Sequence, residues 1–208
     1  MSVYREVHTE YTISIPPQLQ FSRSDSPGSS ASIKDLNMNI DVEYLEYLWP
    51  MRHYLITCGD VKEEANIIAV SFCMPVSKTP PLIACAIGRS AHSLNLIERT
   101  QEFIVNVPTR VLEPKVYYCG YHSGAHVDKF KATGLTPLPA RQVKAPIIAE
   151  CVAWMECTVQ QEVETGDKNL FVGEVLEAYA DDTVVHRKHT VEYAQGEFPR
   201  KIYGTRFV

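Results

Sequence analysis

The chain has 208 residues, which fits one domain with a substantial core, or one domain plus an extension. Its net charge of −5 and pI near 5.8 argue against non-specific binding to nucleic acid or to anionic membrane, both of which reward basic patches. No apolar run approaches the roughly 20 residues of a membrane span, and the start, Met1 to Glu6, lacks the apolar stretch of a signal peptide. The expectation is a soluble cytoplasmic protein.

Residues 1–20 alternate weakly and read as an edge strand or an extended arm. Residues 22–32 are a Ser-, Pro- and Gly-containing linker that cannot bury enough surface to order itself. Residues 1–47 are therefore expected to be an extension and 48–208 the domain. Asp41 suits the N-cap of a short helix from Val42 to Trp49, ended by Pro50. Strands are predicted over His53–Cys58 and Asn66–Phe72, joined by the polar stretch Gly59–Ala65, and again over Leu82–Ile87 and Phe103–Val107. Between the last two, Leu94–Thr100 reads as a short helix. Residues 111–146 are punctuated by Gly and Pro and read as a crossover of short helices and loops. Ile147–Val163 and Leu170–Tyr179 form a second long hairpin about the Glu164–Asp167 turn, and Lys201–Val208 could add a strand. Five to seven strands with few helices suggest a closed or nearly closed antiparallel barrel.

The chemistry-bearing candidates fall into few groups. The six cysteines form no Cys-x-x-Cys pair, and most lie in apolar runs, so they read as small buried hydrophobes. The pairs His122/His126 and His186/His189 have helical metal spacing but lack a third ligand with a supporting carboxylate. No Gly-x-Gly-x-x-Gly loop marks a dinucleotide domain, and no nucleophile set is supported locally. The turn Arg89, Ser90, His92, Ser93 is different. It precedes a helix, and it offers a cation, hydroxyls and helix-start N–H groups, the donors that a phosphate needs.

Four segments, in order and spacing, resemble the flavin reductase-like proteins of the FMN-binding split-barrel fold, the flavoredoxins and archaeal ferric reductase-type flavoproteins in particular. They are Met-Pro-Val-Ser-Lys-Thr-Pro-Pro-Leu-Ile (74–83), Phe-Ile-Val-Asn-Val-Pro (103–108), Val-Asp-Lys-Phe (127–130) with Gly-Leu-Thr (134–136), and Gly-Asp-Lys-Asn-Leu-Phe-Val-Gly-Glu-Val (166–175). The similarity covers about residues 48–180. The resemblance implies a mainly β, six-stranded Greek-key antiparallel split barrel, one non-covalent FMN, and a homodimer whose subunits both border the flavin. It implies an oxidoreductase that passes hydride or electrons through the flavin to free flavin, ferric iron or a redox protein. NADH or NADPH is a candidate donor. The alternative is a non-catalytic barrel that stores flavin or only binds partners.

By the same resemblance, Ser93 is the hydroxyl expected at the FMN phosphate, with Arg89 and Ser90 in the same turn, and Lys129 reaches that phosphate. Asn66 either bonds the ribityl chain or ring edge or caps the hairpin. Ser71, Phe72, Cys73, Met74, Pro75 and Val76 are expected to run beneath the isoalloxazine ring, Phe72 standing where related proteins often carry tryptophan. Lys168 replaces the histidine often found in the Gly-Asp-His turn of the family. A lysine there would favour an anionic reduced flavin by charge, but would not shuttle protons near neutral pH. Tyr203 and Phe207 could cover the ring or pack elsewhere.

Overall fold

The computed structural model describes residues 51–181, together with 45, 48 and the backbone of 200–201. The expected linker, the Val42–Trp49 helix as a whole, His186, His189, Tyr203 and Phe207 lie outside the described residues. Among those described, seven strands form one antiparallel sheet in the order β3-β2-β6-β9-β10-β5-β4. These are β2 Tyr54–Gly59, β3 Ala65–Val70, β4 Cys73–Lys78, β5 Pro81–Gly88, β6 Glu102–Val107, β9 Ala153–Thr165 and β10 Lys168–Ala180. Three hairpins, β2–β3, β4–β5 and β9–β10, supply three of the six neighbouring pairs, and α1 (His92–Thr100) carries the chain across from β5 to β6. Short two-residue pairs complete the set: β1 Met51–Arg52 with β11 Arg200–Lys201, and β7 Pro137–Leu138 with β8 Ile147–Ile148.

Alternation within the strands builds two cores on opposite faces of the sheet. On β2, Ile56 and Cys58 face inward, joining Cys85, Ile87, Phe103, Val105, Cys157 and Phe171. Into this core α1 sends Leu94, Leu96 and Ile97, so the helix acts as a plug for the curled sheet. Leu55, the neighbour of Ile56, faces the other way. It packs with Ile67 against α2 (Glu113–Tyr121) and α3 (Lys129–Thr133), through Val116, Cys119 and Phe130. Gly173 is needed where β10 crosses Phe103: a methyl group there would lie 2.6 Å from the Phe103 ring.

The fold is the expected antiparallel split barrel, with two local differences. The main sheet has seven strands, not six, because Cys73–Lys78 is itself a strand. Pro75 disguises it in the sequence. Proline is tolerated there because β4 is the sheet's edge, and the register shifts between Pro75 and Ser77. The predicted Ile147–Val163 strand is two pieces, β8 and β9. A turn separates them, in which Cys151 N donates to Ile148 O, and Val152 N crosses to Val107 O.

A buried carboxylate holds the crossover onto the barrel. Glu156 on β9 is fully buried and accepts backbone N–H groups from Arg141, Gln142 (2.6 Å) and Val143, and the Tyr179 hydroxyl at 2.7 Å. Burial is the first cause that pushes the Tyr179 phenol above its ordinary range, followed by its hydrogen bond to Glu156.

Candidate functional site

The start of β3, the first turn of α1 and the α2–α3 connection converge on one cluster. Asn66, second residue of β3, is buried and donates from Nδ2 to Ser93 Oγ at 3.0 Å. Ser93 is itself buried in the first turn of α1, whose N-cap residue Ala91 provides no side-chain cap. The α2–α3 connection closes over this pair at Gly124, where an added methyl group would meet the Asn66 side-chain amide. A larger residue there would have to push the Asn66 side chain aside.

Lys129 completes the cluster. It opens α3, behind the N-cap Asp128, whose carboxylate accepts from Lys131 N. Its side chain is buried, and Nζ donates to Ile67 O on β3 and to Cys119 O on α2, both at 2.8 Å. An ammonium with two neutral partners keeps a third N–H to offer. Burial lowers its pKa, and the nearby thiols of Cys119 and Cys58 act in the opposite sense. Cys58 lies beneath, its thiol pushed up to about 12 by burial, with Ser93 and Lys129 pulling the other way. Behind α1, Glu64 bridges His92 Nε2 at 2.8 Å and Arg99 Nη2 at 3.1 Å. These two partners, Arg99 first, hold its carboxyl below the ordinary range.

The predicted residues separate into three places. Asn66, Ser93 and Lys129 are brought together. Arg89 is turned to the tip of the long hairpin, in an exposed ion pair with Glu164 at 2.7 Å, and Ser90 is exposed beside it. The stretch Ser71–Val76 lines a third region with Lys168. The Lys168 ammonium stands 5.6 Å from the Phe72 ring centroid and 3.2 Å from Asp167. Ser71 Oγ is 3.0 Å from His53 Nδ1. Met74, Pro75 and Val76 are exposed, Cys73 partly so. The sequence reading missed His53, Cys58 and Gly124. Their strand and turn settings carried no motif, and only the close approach of separate elements gives them a place. His122 stacks on Tyr118, its Nδ1 3.0 Å from the Tyr118 carbonyl. No group of three or more His, Cys, Asp or Glu suited to a metal occurs among the described residues.

A curled antiparallel sheet plugged by one helix is the architecture of a split barrel. The chain belongs to the family described as flavin reductase like domain, whose model matches residues 47–201. An uncharacterised protein of Archaeoglobus fulgidus is 41% identical over 152 residues, 73% of this chain and 85% of that one. An NADH-dependent FAD reductase of Streptomyces globisporus is 30% identical over 125 residues, 60% of this chain and 66% of that one. Flavoredoxin of Desulfovibrio vulgaris (Miyazaki F) superposes with a TM-score of 0.72 at 23% identity, covering 83% of this chain and 93% of that chain. That last likeness speaks to the fold. No helix among the described residues is long and apolar enough to cross a membrane.

Proposed function

We propose that this protein is an FMN-dependent oxidoreductase that takes reducing equivalents from NADH or NADPH and passes them to a small or protein acceptor. The observation that carries the reading is the buried Asn66–Ser93–Lys129 cluster at the start of α1, in a chain of the flavin reductase-like family. Its donor set fits a phosphate monoester: an ammonium with a donor to spare, a hydroxyl, and helix-start N–H groups that no side chain caps. Gly124 fits as the position where the chain passes close to Asn66.

A bound flavin supplies the hydride and electron chemistry. The residues of this chain bind, orient and tune. Lys129, Ser93 and Asn66 grip the phosphate and fix one end of the cofactor. Strand β4 and its approach, Ser71 to Val76, form the wall along the ring, with Phe72 as the aromatic face. Lys168 supplies a positive charge beside that wall, which favours negative charge developing on the ring. Arg89 joins the grip only by leaving Glu164, and Ser90 lies beside it. The protein works as a homodimer, which the resemblance implies, and it does so in the cytoplasm.

The test is reconstitution. The purified protein is incubated with FMN, desalted, and examined for retained visible flavin absorbance, then for its bleaching by NADH and by NADPH under anaerobic conditions. Retention with bleaching is the expected result. Retention without bleaching by either nucleotide supports a flavin carrier, and a colourless protein overturns the reading.

A further inference from the structure

We infer that Cys73 and Cys85 form a thiol–disulfide site that closes across the β4–β5 hairpin when a small-molecule disulfide is present. The two residues are direct partners in the antiparallel register, and Cys85 Sγ lies 2.8 Å from Cys73 Sγ. Opposed residues of an antiparallel pair have Cα atoms roughly 4.5–5.5 Å apart, and a disulfide spans roughly 4.4–6.8 Å. The bond therefore forms by side-chain rotation, with no change in strand pairing.

The two thiols have different access. Cys73 is partly exposed on the edge strand, whereas Cys85 is 1% exposed within the barrel core. Burial, and then the neighbouring Cys73, push the Cys85 thiol upward and keep it protonated. The reaction accordingly begins at Cys73. Its thiolate attacks one sulfur of the small disulfide, forms a mixed disulfide and releases one small thiolate. Cys85 then gives up its proton to that thiolate, attacks the Cys73 sulfur and displaces the second small thiolate, which takes the proton first lost by Cys73. Two protein thiols are oxidised to one disulfide, and one small disulfide is reduced to two thiols. Intracellular disulfides of ordinary proteins are mostly transient and redox-sensing, which is the role such a half-accessible pair suits.

Closure staples the edge strand β4 to β5. That this strand also lies along the flavin rests on the function proposed above. The thiol chemistry does not, so it is measured both with and without added FMN.

The experiment uses oxidised glutathione on the full chain, followed by thiol counting under denaturing conditions and mass mapping of a non-reducing digest. Two of the six thiols are expected to disappear, the digest to contain a peptide pair joined at Cys73 and Cys85, and dithiothreitol to restore all six. Cys157, which also lies near Cys73, serves as the internal control. Cys157→Ser should still lose two thiols, and Cys85→Ser should stop at a glutathione adduct on Cys73. Retention of all six thiols, a bond from Cys73 to Cys157, or a bond between two copies of the chain overturns the inference. The wild-type digest decides the question even where a variant fails to fold.

Discussion

Asn66 Nδ2 and Ser93 Oγ meet at 3.0 Å, so a single buried hydrogen bond joins the opening of β3 to the first turn of α1. Removing the amide leaves the serine without that donor and opens the space against which Gly124 packs. Asn66→Ala should cost about 1–3 kcal/mol of stability, the usual range for leaving a buried polar group unpaired. It should also weaken FMN binding by about tenfold, the equivalent of roughly 1.4 kcal/mol. Urea unfolding and a flavin fluorescence titration measure the two effects. An unchanged flavin affinity would leave Asn66 as a hairpin cap alone.

Lys129 separates phosphate recognition from ring recognition. Lys129→Met keeps the length of the stem and removes the charge. A hydrogen bond to a charged group contributes about 1.5–3 kcal/mol, so FMN affinity should fall by roughly ten- to a hundredfold. Riboflavin, which lacks the phosphate, should bind both proteins alike. Parallel titrations decide it: equal losses for the two ligands would mean that Lys129 supports the fold through Ile67 and Cys119 and does not grip phosphate.

Glu156 makes a prediction about stability rather than binding. Three consecutive backbone N–H groups and the Tyr179 hydroxyl converge on its carboxylate inside the protein. Glu156→Ala strands all four donors and should cost about 3 kcal/mol or more. Glu156→Gln keeps an acceptor and should cost less. Chemical denaturation of the two variants tests the order, and an alanine variant as stable as the parent would show that water replaces the carboxylate at no cost.

Much of this architecture was legible in the chain because alternation and turn residues agree there. The strands at 54–59, 65–70, 81–88 and 102–107 follow runs of Ile, Val, Leu and Ala bounded by Gly, Pro or charged turns. Edge strand β4 was hidden by Pro75, which breaks the pattern without breaking the strand. Of the candidate cluster, Lys129 lies in one of the segments that resemble the flavin reductase-like family, and Ser93 stands out in the polar turn that precedes a helix. The role of Glu156 was not, because a charged residue in a strand normally faces water, and nothing local announces the three N–H groups that it meets from residues 141–143. Nor was the divergence of Arg89 from Ser93: four residues apart in one turn, they serve different surfaces once Glu164 is in place.

The buried thiols set an alkaline limit on stability. Burial is the leading cause that pushes Cys58 and Cys157 up to about 12 and Cys119 up to about 11 from the ordinary 9.0. Each group therefore has a higher pKa folded than unfolded. Its contribution is fully present below pH 9 and is lost as pH rises through the folded value. Within that window the unfolded chain ionises first, and every such thiol removes roughly 1.4 kcal/mol of stability per pH unit. Lys129, whose folded pKa is depressed by burial, acts the other way below its unfolded value of 10.5, and offsets part of one thiol's effect. The net expectation is a fall in the urea midpoint between pH 8 and pH 10, under reducing conditions that keep every cysteine free. Cys157→Ala should make that fall shallower, even though the variant starts less stable. A midpoint that does not move with pH would mean that these thiols are reached by solvent in the folded protein.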